Sequence, residues 1–420
     1  MEFLKKSVCR YSDKSDSLET DIKNMIKDVK ENGDKALLRY NIQFDGNDRE
    51  TFLVSAEEIR SAYSKVDKEL IEHMKEAAVN IAKFAQRQKE SIQPVNDFET
   101  SSGVLLGHKI LPLDSCCCYV PGGGYPLYST ALMLAIPART AGVRRIAACS
   151  PAMKGTNSIA PVTLVAMDIA GVSEIYCLGG AHAVAAFAYG TEQVKPVDVI
   201  VGPGNRYVTE AKRQCYGQVG IDFLAGPSEV LIISEEDGNA RYIAADLLAQ
   251  SEHDYNAKGI LVTTSLKLAE DVLKEVEQQL EELETKEVAG KSWKNNGEII
   301  LVSSLDEAFD VSNDYAPEHL EIHVKDEEYA MSMLHNYGSL FIGENAAEVF
   351  GDYISGTNHT LPTVRASRYT GGLYVGTFLK VCSYQRISKK GVDSIGRTAV
   401  ELALGEGLHG HANAARVRLN

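Results

Sequence analysis

Hydrophobic and polar residues alternate with a helical period through the first hundred residues of the chain, which are also rich in charge. The pattern is clearest over 21–30 and 36–40, which Gly33 separates, and over a longer amphipathic stretch at 56–88. A charged face and an apolar face on each segment are typical of helices that cover a core from outside. We therefore expect an outer helical layer here.

From Cys118 onward, short apolar runs alternate with helical patterns, an arrangement that predicts parallel sheets. A first series predicts strands near Cys118, 145–149, 174–178, 197–201 and 230–234, with helices near 130–142, 159–170, 180–189 and 206–214. A second series predicts strands near 258–264, 298–302, 319–324 and 338–342, with helices near 241–253, 266–284, 304–313 and 326–335. The fold class is therefore α/β, with two Rossmann-like lobes.

The length of the chain agrees with more than one lobe. It has 420 residues and 44% hydrophobic content, whereas single cores rarely grow beyond about 250 to 300 residues. We divide it into an N-terminal helical segment that packs on the second lobe, a first lobe, a second lobe and a C-terminal arm. These parts cover 1–115, 116–235, 236–373 and 374–420.

The charge balance narrows the possible partners. The formal net charge is −15, from 43 basic and 58 acidic residues, and no basic stripe offsets it, so nucleic acid is not an expected partner. No apolar run reaches the roughly 18 residues that span a bilayer, and no leader pattern opens the chain. We expect a soluble, cytoplasmic protein without a membrane partner.

The eight cysteines do not follow the short, dense spacing of a secreted disulfide scaffold. The run Cys116-Cys117-Cys118 begins a predicted strand, in which alternate side chains enter a core. Buried structural thiols are therefore favoured over a thiol nucleophile.

Glu318 and His319 are the most informative pair for chemistry, because they are two acid/base groups at one stiffened point. Pro317 fixes its own φ and restricts Ala316 towards extended conformations. The alternation over 320–324 predicts a half-buried strand, which places the pair at the edge of a sheet. A neighbouring Glu and His are also common on ordinary surfaces, so this prediction needs support from other segments.

Three other segments carry groups suited to a metal ion or a proton transfer. Gln250 and His253 lie three apart at the end of a predicted helix, on one face. Asp352 and His359 lie in a loop containing Gly and Asn, where a helix cap and a loop imidazole are the simpler alternatives. The segment 406–411 adds a Glu and two His. Imidazole, carboxylate and amide oxygen together form a plausible zinc set.

Glycine-rich turns occur where predicted strands of the first series end, at 122–124, 179–180 and 202–204. No G-x-G-x-x-G fingerprint of the usual dinucleotide fold, in which the motif follows a strand and begins a helix, occurs in the predicted lobes. Open parallel sheets bind ligands beyond the carboxyl ends of their strands, so these turns are candidate cofactor loops. A tight turn between strand and helix is an equally common reason for such glycines.

Over nearly its whole length the sequence resembles the histidinol dehydrogenase family. The four segments described above occur in the order and form that mark this family. Further matching segments are Tyr119-Val120-Pro121-Gly122-Gly123, Ile136-Pro137-Ala138, Gly202-Pro203-Gly204-Asn205, Ala211-Lys212-Arg213, Ala225-Gly226-Pro227-Ser228-Glu229-Val230 and Asn358-His359-Thr360-Leu361-Pro362-Thr363.

The resemblance implies oxidation of L-histidinol to L-histidine in two NAD-dependent steps, through an aldehyde held in the site. It implies that His319 is the base that takes the alcohol proton, and that Glu318 activates the water that attacks the aldehyde. Zinc would be bound by Gln250, His253, Asp352 and, from the partner subunit, His411. The implied substrate contacts are Ser228, Gln250, His253, His319, Asp352, His359, Glu406 and His411.

The resemblance also implies NAD contacts at Tyr119, at position 182 and at Asn205. The family usually has Gln at position 182, where this chain has His182, and that one contact is in doubt. Spacing from Glu406 selects His411 over His409 as the ligand. A ligand that comes from the other chain implies a homodimer with shared active sites and a C-terminal dimerisation arm.

Two alternative functions remain at this stage. Some segments, among them 366–372, are also similar to paralogues that oxidise 2,3-dihydroxypropane-1-sulfonate to sulfolactate, and Arg365 and Arg368 are candidates for holding a sulfonate. Solvated loop arginines are at least as good an interpretation of the two. The second alternative is an inactive zinc-binding dimeric scaffold. A drifting protein would be expected to lose at least one buried polar group, whereas this chain retains Gln250, His253, Glu318, His319, Asp352, His359, Glu406 and His411.

Overall fold

Two parallel sheets flanked by helices form the framework of the chain. The computed structural model describes residues 1–8, 16–122 and 126–419. The predicted α/β class is confirmed. Gly123 and Gly124, which belong to a predicted cofactor loop, lie outside the described residues, as does Cys9.

The N-terminal part contains three helices as well as strands that the sequence did not predict. Its elements are β1 (Glu2–Lys5), α1 (Asp16–Asp45), α2 (Ala56–Tyr63), α3 (Lys68–Ser91), β2 (Val95–Ser101) and β3 (Val104–Pro112). The predicted break at Gly33 is present, with φ of 49°. The stretch 56–88 forms two helices because Ser55 and Asp67 each cap a new helix with their side-chain oxygens.

The first sheet has five parallel strands, in the order β6-β5-β4-β7-β8. Its strands are β4 (Ser115–Tyr119), β5 (Arg145–Ser150), β6 (Glu174–Cys177), β7 (Val199–Val201) and β8 (Gly220–Ile221), and its helices are α4 (Ser129–Ala141), α5 (Pro161–Ala170), α6 (Gly180–Tyr189) and α7 (Arg206–Cys215). The predicted elements of this series lie within a few residues of these bounds.

The second sheet has six strands, in the order β1-β11-β10-β9-β12-β13, and only β1 is antiparallel to its neighbour. Its strands after β1 are β9 (Glu229–Ser234), β10 (Lys258–Thr263), β11 (Glu298–Leu301), β12 (His319–His323) and β13 (Ser339–Ile342). The helices are α8 (Ala240–Ser251), α9 (Leu266–Glu282), α10 (Lys286–Asn296), α11 (Leu305–Tyr315), α12 (Glu327–Met333) and α13 (Glu348–Tyr353).

Strand β9 corrects the sequence-based division of the lobes. The pattern assigned 230–234 to the first lobe, but β9 pairs with β10 and β12 in the middle of the second sheet. Hydrophobic periodicity identifies a strand without showing which sheet it joins. The second sheet therefore begins before residue 236.

The outer helices also pack differently from the expectation for 1–115. Helix α1 contacts α6 and α7, α2 contacts α5, and α3 contacts α4, so all three cover the first sheet instead of the second lobe. Only β1 reaches the second sheet. The helical period shows that each helix has an apolar face, but it does not show which of two sheets that face covers.

The C-terminal arm comprises β14 (Leu379–Ile387), α14 (Lys389–Gly405) and α15 (His409–Leu419). Strand β14 pairs antiparallel with β3, and β2 completes a three-stranded sheet. The arm is thus built partly from the N-terminal segment. Strand β2 is almost wholly exposed, so its sequence lacks the apolar alternation that would predict a strand.

Six of the seven cysteines in the described residues are buried, and all seven are free thiols. The three in β4 have no exposed surface, and burial raises the pKa of the Cys117 thiol well above its usual value. The prediction of buried structural thiols is confirmed for this run.

No helix within the described ranges combines the length and the apolar character that crossing a bilayer requires.

Candidate active site

Glu318 and His319 begin β12 directly after the end of helix α11. Ala316 ends that helix in the left-handed region, with φ of 51°, and the Ser367 hydroxyl donates to its carbonyl oxygen. Ala316 therefore lacks the extended conformation that usually precedes a proline, although the pair does follow a defined turn. A left-handed residue other than Gly costs roughly 1 to 2 kcal/mol, and this turn directs the pair into the protein.

Strand β12 is not the half-buried strand that the alternation predicted, although the pair does lie at the end of a strand, at the edge of the sheet. All five of its residues are buried, and it lies between β9 and β13. The polar positions of the alternation are covered as well, because α8 and α13 contribute polar side chains to the same side of the strand. Glu318 and His319 are 5% and 3% exposed, which makes them a buried acid/base pair.

The His319 imidazole is held in one tautomer. Its Nδ1 donates to the Glu229 carbonyl oxygen at 3.2 Å, so this nitrogen carries the proton of the neutral ring. The Nε2 atom has no hydrogen-bond partner among the described residues and lies 3.6 Å from Asp352 Oδ1. Nε2 is therefore the nitrogen that is available to accept a proton.

Carboxylates surround this imidazole. Glu318 Oε2 and Glu348 Oε1 each lie 3.7 Å from Nδ1. Burial alone would lower the pKa of His319, but the charges of Glu348, Glu318 and Asp352 outweigh it and raise that pKa. Burial raises the pKa of Glu318 to about 8, against the opposing effect of His319. The surrounding charges therefore favour the protonated form of the imidazole, and burial favours the protonated form of the Glu318 carboxyl.

A candidate metal centre adjoins the pair. Ligand atoms of His253, Glu348 and Asp352 all lie within 4.8 Å of one another. The Gln250 amide is fully buried beside them and, with its nitrogen towards Glu348, donates to that carboxylate at 2.6 and 2.9 Å. An imidazole, carboxylates and an amide oxygen suit zinc, so the side chains present fit the metal.

The structure thus brings together Gln250, His253, Asp352, Glu318 and His319, as predicted from the sequence. Asp352 lies on α13 and not in the predicted loop, so Glu348, four residues earlier on the same face of that helix, was not predicted. The sequence analysis also missed Glu229, whose backbone N–H donates to Glu318 Oε2 at 3.0 Å. Nothing local in the sequence marks Glu229 as a partner of this pair.

This cluster lies at the amino-terminal edge of the second sheet, because His319 begins β12 and Ser228 immediately precedes β9. The predicted cofactor loops follow the carboxyl ends of strands in the first sheet. The buried cluster and the predicted cofactor loops therefore lie at opposite edges of their sheets, whereas the general expectation for open sheets is the carboxyl edge alone.

His359 and Ser228 lie on the border of the cluster. His359 donates from Nδ1 to the Asp352 carbonyl oxygen at 3.0 Å, and its Nε2 lies 3.3 Å from the Thr130 hydroxyl on α4. These bonds connect the two sheets across the cleft. Ser228 is half-buried, and its carbonyl oxygen accepts from Lys258.

Three residues of the arm, Glu406, His409 and His411, are exposed in the single chain. His411 is not a member of the metal-ligand cluster formed by His253, Glu348 and Asp352 within the described chain. The structure therefore does not bring the predicted fourth ligand to the other three within one copy of the chain.

The cofactor half contains two of the three predicted contacts at strand and helix ends. The Tyr119 hydroxyl accepts from the Gly180 backbone N–H at 3.0 Å, at the start of α6. Asn205 is exposed and caps α7, where its Oδ1 accepts from two backbone N–H groups. Two helix N-termini thus lie beyond the carboxyl ends of β6 and β7, a position suited to the phosphates of a dinucleotide.

His182 does not lie on an open cofactor surface. It is 1% exposed, and its Nε2 lies 2.9 Å from Asn41 Oδ1 on α1, beside the rings of Tyr40 and Phe44. Burial lowers the pKa of His182 to about 3. The structure therefore gives this residue a packing role under α1, in place of the predicted contact with NAD.

Because the pKa of His182 is lowered, this residue makes the free energy of unfolding depend on pH. Its folded pKa lies below the usual 6.5, so the unfolded chain binds the extra proton and stability falls as pH drops below about 6.5. Between about pH 7 and pH 5 the unaltered protein should lose about 2 kcal/mol more stability than His182→Gln. Urea unfolding of both proteins at the two pH values measures this, and parallel losses would contradict it.

A buried ion pair stabilises the turn at Gly202, which follows β7 in the first sheet and belongs to a predicted cofactor loop. Lys212 and Asp222 form the pair, with side chains 3% and 1% exposed. Lys212 Nζ donates to the Gly202 carbonyl oxygen at 2.9 Å, and Asp222 Oδ2 accepts from the Gly202 N–H at 2.7 Å. Gly202 has φ of 117°, and a Cβ there would collide with the Tyr119 carbonyl oxygen.

Removing the cation of this pair should destabilise the fold strongly. Lys212→Met leaves the Asp222 carboxylate buried and unpaired, so we expect a loss of about 3 to 5 kcal/mol in the free energy of unfolding, measured with urea. The control is the neighbouring Arg213→Met, whose half-exposed pairs with Glu210 and Glu19 are worth less than about 1 kcal/mol. Similar losses in the two variants would contradict the prediction.

The two arginines considered for a sulfonate lie in a loop after the cluster. Arg368 donates to the carbonyl oxygens of Asn313 and Asp314 and to the Asp314 carboxylate, at 3.1 to 3.3 Å, near the end of α11. It thus neutralises a helix C-terminus. Arg365 is exposed. Neither geometry favours the sulfonate alternative.

The chain is similar to known proteins over nearly its whole length. The chain is 46% identical over 398 residues to a histidinol dehydrogenase of Methanocaldococcus jannaschii, covering 95% of this chain and 92% of that protein. It is 44% identical to a histidinol dehydrogenase of Bacillus cereus, covering 96% and 93%. A histidinol dehydrogenase homologue of Shouchella clausii is 42% identical, covering 99% and 97%.

Among solved structures, the crystal structure of histidinol dehydrogenase from Elizabethkingia anophelis matches with a TM-score of 0.93 and 38% identity. The match covers 98% of this chain and 94% of that one. The family model described as histidinol dehydrogenase matches residues 8–419. On this similarity over nearly its full length, the chain belongs to the histidinol dehydrogenase family of oxidoreductases.

Proposed function

We propose that this protein is a zinc- and NAD-dependent dehydrogenase that oxidises L-histidinol to L-histidine, through an aldehyde that stays bound. The observation that carries the proposal is the buried pair Glu318 and His319 beside the metal-ligand cluster. An alcohol oxidation with water addition needs one base for the alcohol and one for the water. The family membership of the chain supports the same reaction.

The residues that would hold zinc are Gln250, His253 and Asp352, completed by His411 of the partner subunit. When bound, zinc would act as a Lewis acid on the amino alcohol, and NAD would accept the hydrides. Glu348 accepts from the Gln250 amide, so it would orient that ligand. Tyr119 and Asn205 would contact the cofactor.

His319 is the group suited to take the alcohol proton. Its Nδ1–H is held by the Glu229 carbonyl oxygen, so Nε2 accepts the proton while the ring stays in place. Three carboxylates raise its pKa, which stabilises the imidazolium that this step produces. Ser228, His359 and Glu406 would contact the substrate, with Glu406 supplied by the partner.

Glu318 is suited to the second half of the reaction. Burial raises the pKa of its carboxyl to about 8, so its carboxylate is a stronger base than an exposed Glu and can deprotonate a water near neutral pH. Its Oε2 is held by the Glu229 N–H, which fixes where the proton is received. The two bases are adjacent, and each serves one of the two oxidations.

The decisive experiment is the formation of reduced nicotinamide by the purified protein. L-Histidinol and 2,3-dihydroxypropane-1-sulfonate are offered in parallel, with zinc and NAD present. We expect activity with histidinol, and about twice as much reduced cofactor as histidinol consumed. Removal of zinc with a chelator should abolish the activity, and added zinc should restore it.

Activity with the sulfonate alone would replace the substrate in this proposal while leaving its chemistry in place. A protein that contains zinc but is inactive with both substrates would instead support the inactive scaffold. Release of free aldehyde, with only one reduced cofactor per histidinol, would contradict the bound intermediate.

A further inference from the structure

A second group of polar side chains, two of them buried and the third, Asp246, half-buried, lies between β12 and α8, beyond the catalytic pair. Side chains at alternate positions of a strand point to the same side, so Glu321 and His323 follow His319 on one face of β12. On α8, Asp246 lies four residues before Gln250 and shares its face. Two polar rows therefore meet in the interior, where apolar side chains are the rule.

The members of this second group are Asp246, Glu321 and His323, and their ligand atoms lie within 4.8 Å of one another. Glu321 has no exposed surface and His323 is 7% exposed. Glu321 Oε2 lies 3.6 Å from His323 Nε2. This Oε2 atom and His323 Nδ1 have no hydrogen-bond partner anywhere in the described chain.

This group is separate from the first cluster. The two groups adjoin at Glu348, whose backbone N–H donates to Glu321 Oε1 at 3.0 Å. That bond satisfies one oxygen of the Glu321 carboxylate and leaves the other directed at Asp246 and His323. The proposed catalytic roles use none of the three residues.

Burying these groups without a partner is unfavourable. A buried polar atom that lacks a hydrogen bond costs about 1 to 3 kcal/mol, and more if it is charged. Two carboxylates in contact also repel each other. Burial, together with the charge of Glu321 and a side-chain hydrogen bond to Glu321, raises the pKa of Asp246 to about 8. Something must neutralise the pair.

One proton shared by the two carboxyl groups would neutralise only part of the group. It would leave Glu321 Oε2 and His323 Nε2 facing each other at 3.6 Å, which is longer than a hydrogen bond. Two ligand atoms of one tetrahedral zinc ion, at about 2.0 to 2.2 Å from the metal, are separated by about 3.4 Å. The observed spacing fits an ion between the two atoms.

We propose that Asp246, Glu321 and His323 form a second divalent-cation site, of the zinc class, that is distinct from the catalytic metal. Two carboxylates and an imidazole are a donor set for zinc or a similar borderline ion, with water completing the coordination. The ion cancels the repulsion between the carboxylates and gives Glu321 Oε2 a partner.

The site joins α8 to β12 near the active centre. Gln250 and His253 lie one and two turns further along the same helix segment from Asp246, and His319 lies on the same strand as Glu321. An ion bound by the three residues of this site connects α8 to β12 and thereby positions Gln250 and His253, two ligands of the catalytic metal. This positioning role rests on the proposed function, whereas the second cation site itself does not.

The test is the metal content of the full-length protein after equilibration with zinc and removal of the free ion, measured by mass spectrometry of the metal. We expect two zinc ions per chain in the unaltered protein. The nearly isosteric Glu321→Gln and His323→Asn should each contain one. Asp352→Asn, which weakens the first cluster, should also contain one, and Asp352→Asn/His323→Asn should contain none.

One zinc ion per chain in the unaltered protein, or an unchanged count of two in both Glu321→Gln and His323→Asn, would overturn the site. If those variants fold poorly, the readout is the thermal midpoint of Asp352→Asn, which keeps the second group intact. Zinc should raise its Tm but not that of the double variant Asp352→Asn/His323→Asn. A Tm of Asp352→Asn that does not respond to zinc rejects the proposal.

This design separates the second site from the proposed function. If the catalytic assignment is wrong, Asp352→Asn retains both ions or the enzyme is inactive with histidinol, while Glu321→Gln still loses one ion. If the second site is wrong, the histidinol reaction and the loss of zinc in Asp352→Asn are unaffected.

Discussion

Replacing His319 with Asn will lower kcat by about a thousandfold, because the alcohol loses the base that takes its proton. Asn fills a similar volume and can still donate to the Glu229 carbonyl oxygen, so the fold and the metal cluster should persist. The KM for NAD should change little, since the cofactor half lies on the other sheet. Steady-state kinetics with L-histidinol, together with zinc content, provides the measurement.

The control for this variant is His335→Asn. His335 is an exposed histidine of the same lobe that bonds the Met333 carbonyl oxygen, so its loss should leave kcat unchanged. A His319→Asn enzyme with more than about a tenth of the original kcat would remove this residue from the role of base. An enzyme that has lost its zinc would show that the ring is needed for the metal instead.

Mixing two inactive variants will restore about a quarter of the activity if the site is shared between subunits. His411→Asn keeps the cluster of its own chain, and Asp352→Asn keeps a normal His411. In a heterodimer one site combines the intact cluster with the intact arm. Half of the dimers in an equal mixture are heterodimers, and half of their sites are complete. Activity after subunit exchange, or after co-expression, measures the effect.

The matched control mixes Gln250→Ala with Asp352→Asn. Both lesions affect the cluster that one chain supplies, so every site in the heterodimer lacks one ligand and no activity should return. Restoration in this control would mean that Gln250 and Asp352 serve different sites. Full activity of the His411→Asn homodimer would remove the arm from the active site.

Some residues of the candidate site can be predicted from their spacing in the sequence, and others cannot. The adjacency of Glu318 and His319, and the three-residue spacing of Gln250 and His253, are visible in the chain itself. Their meeting with Asp352 could only be expected from the family resemblance, since about a hundred residues separate them. Glu348 could be found from its spacing to Asp352 only if 348–353 were predicted to be a helix.

At His182 and Ala316, the local sequence favours a contact or a backbone conformation that the packed structure does not adopt. His182 follows a glycine turn at a strand end, which favours a ligand contact, yet helix α1 covers it and Asn41 bonds its ring. Ala316 precedes a proline, which favours an extended backbone, yet it ends α11 in the left-handed region. In each case an element distant in sequence, or the end of a helix, supplied the stronger constraint.

The sequence by itself determined most elements of the two parallel sheets, because the period of apolar residues depends only on neighbours in the chain. It also determined the α/β class and the chemical types at the site. It did not determine the exposed strand β2 or the partly exposed strand β3. The tertiary structure decided that β9 joins the second sheet, that α1 to α3 cover the first, and that α8 and β12 bring Asp246, Glu321 and His323 together. Strand order and buried polar contacts depend on surfaces far apart in sequence, and the free energy of packing them appears only when both are present.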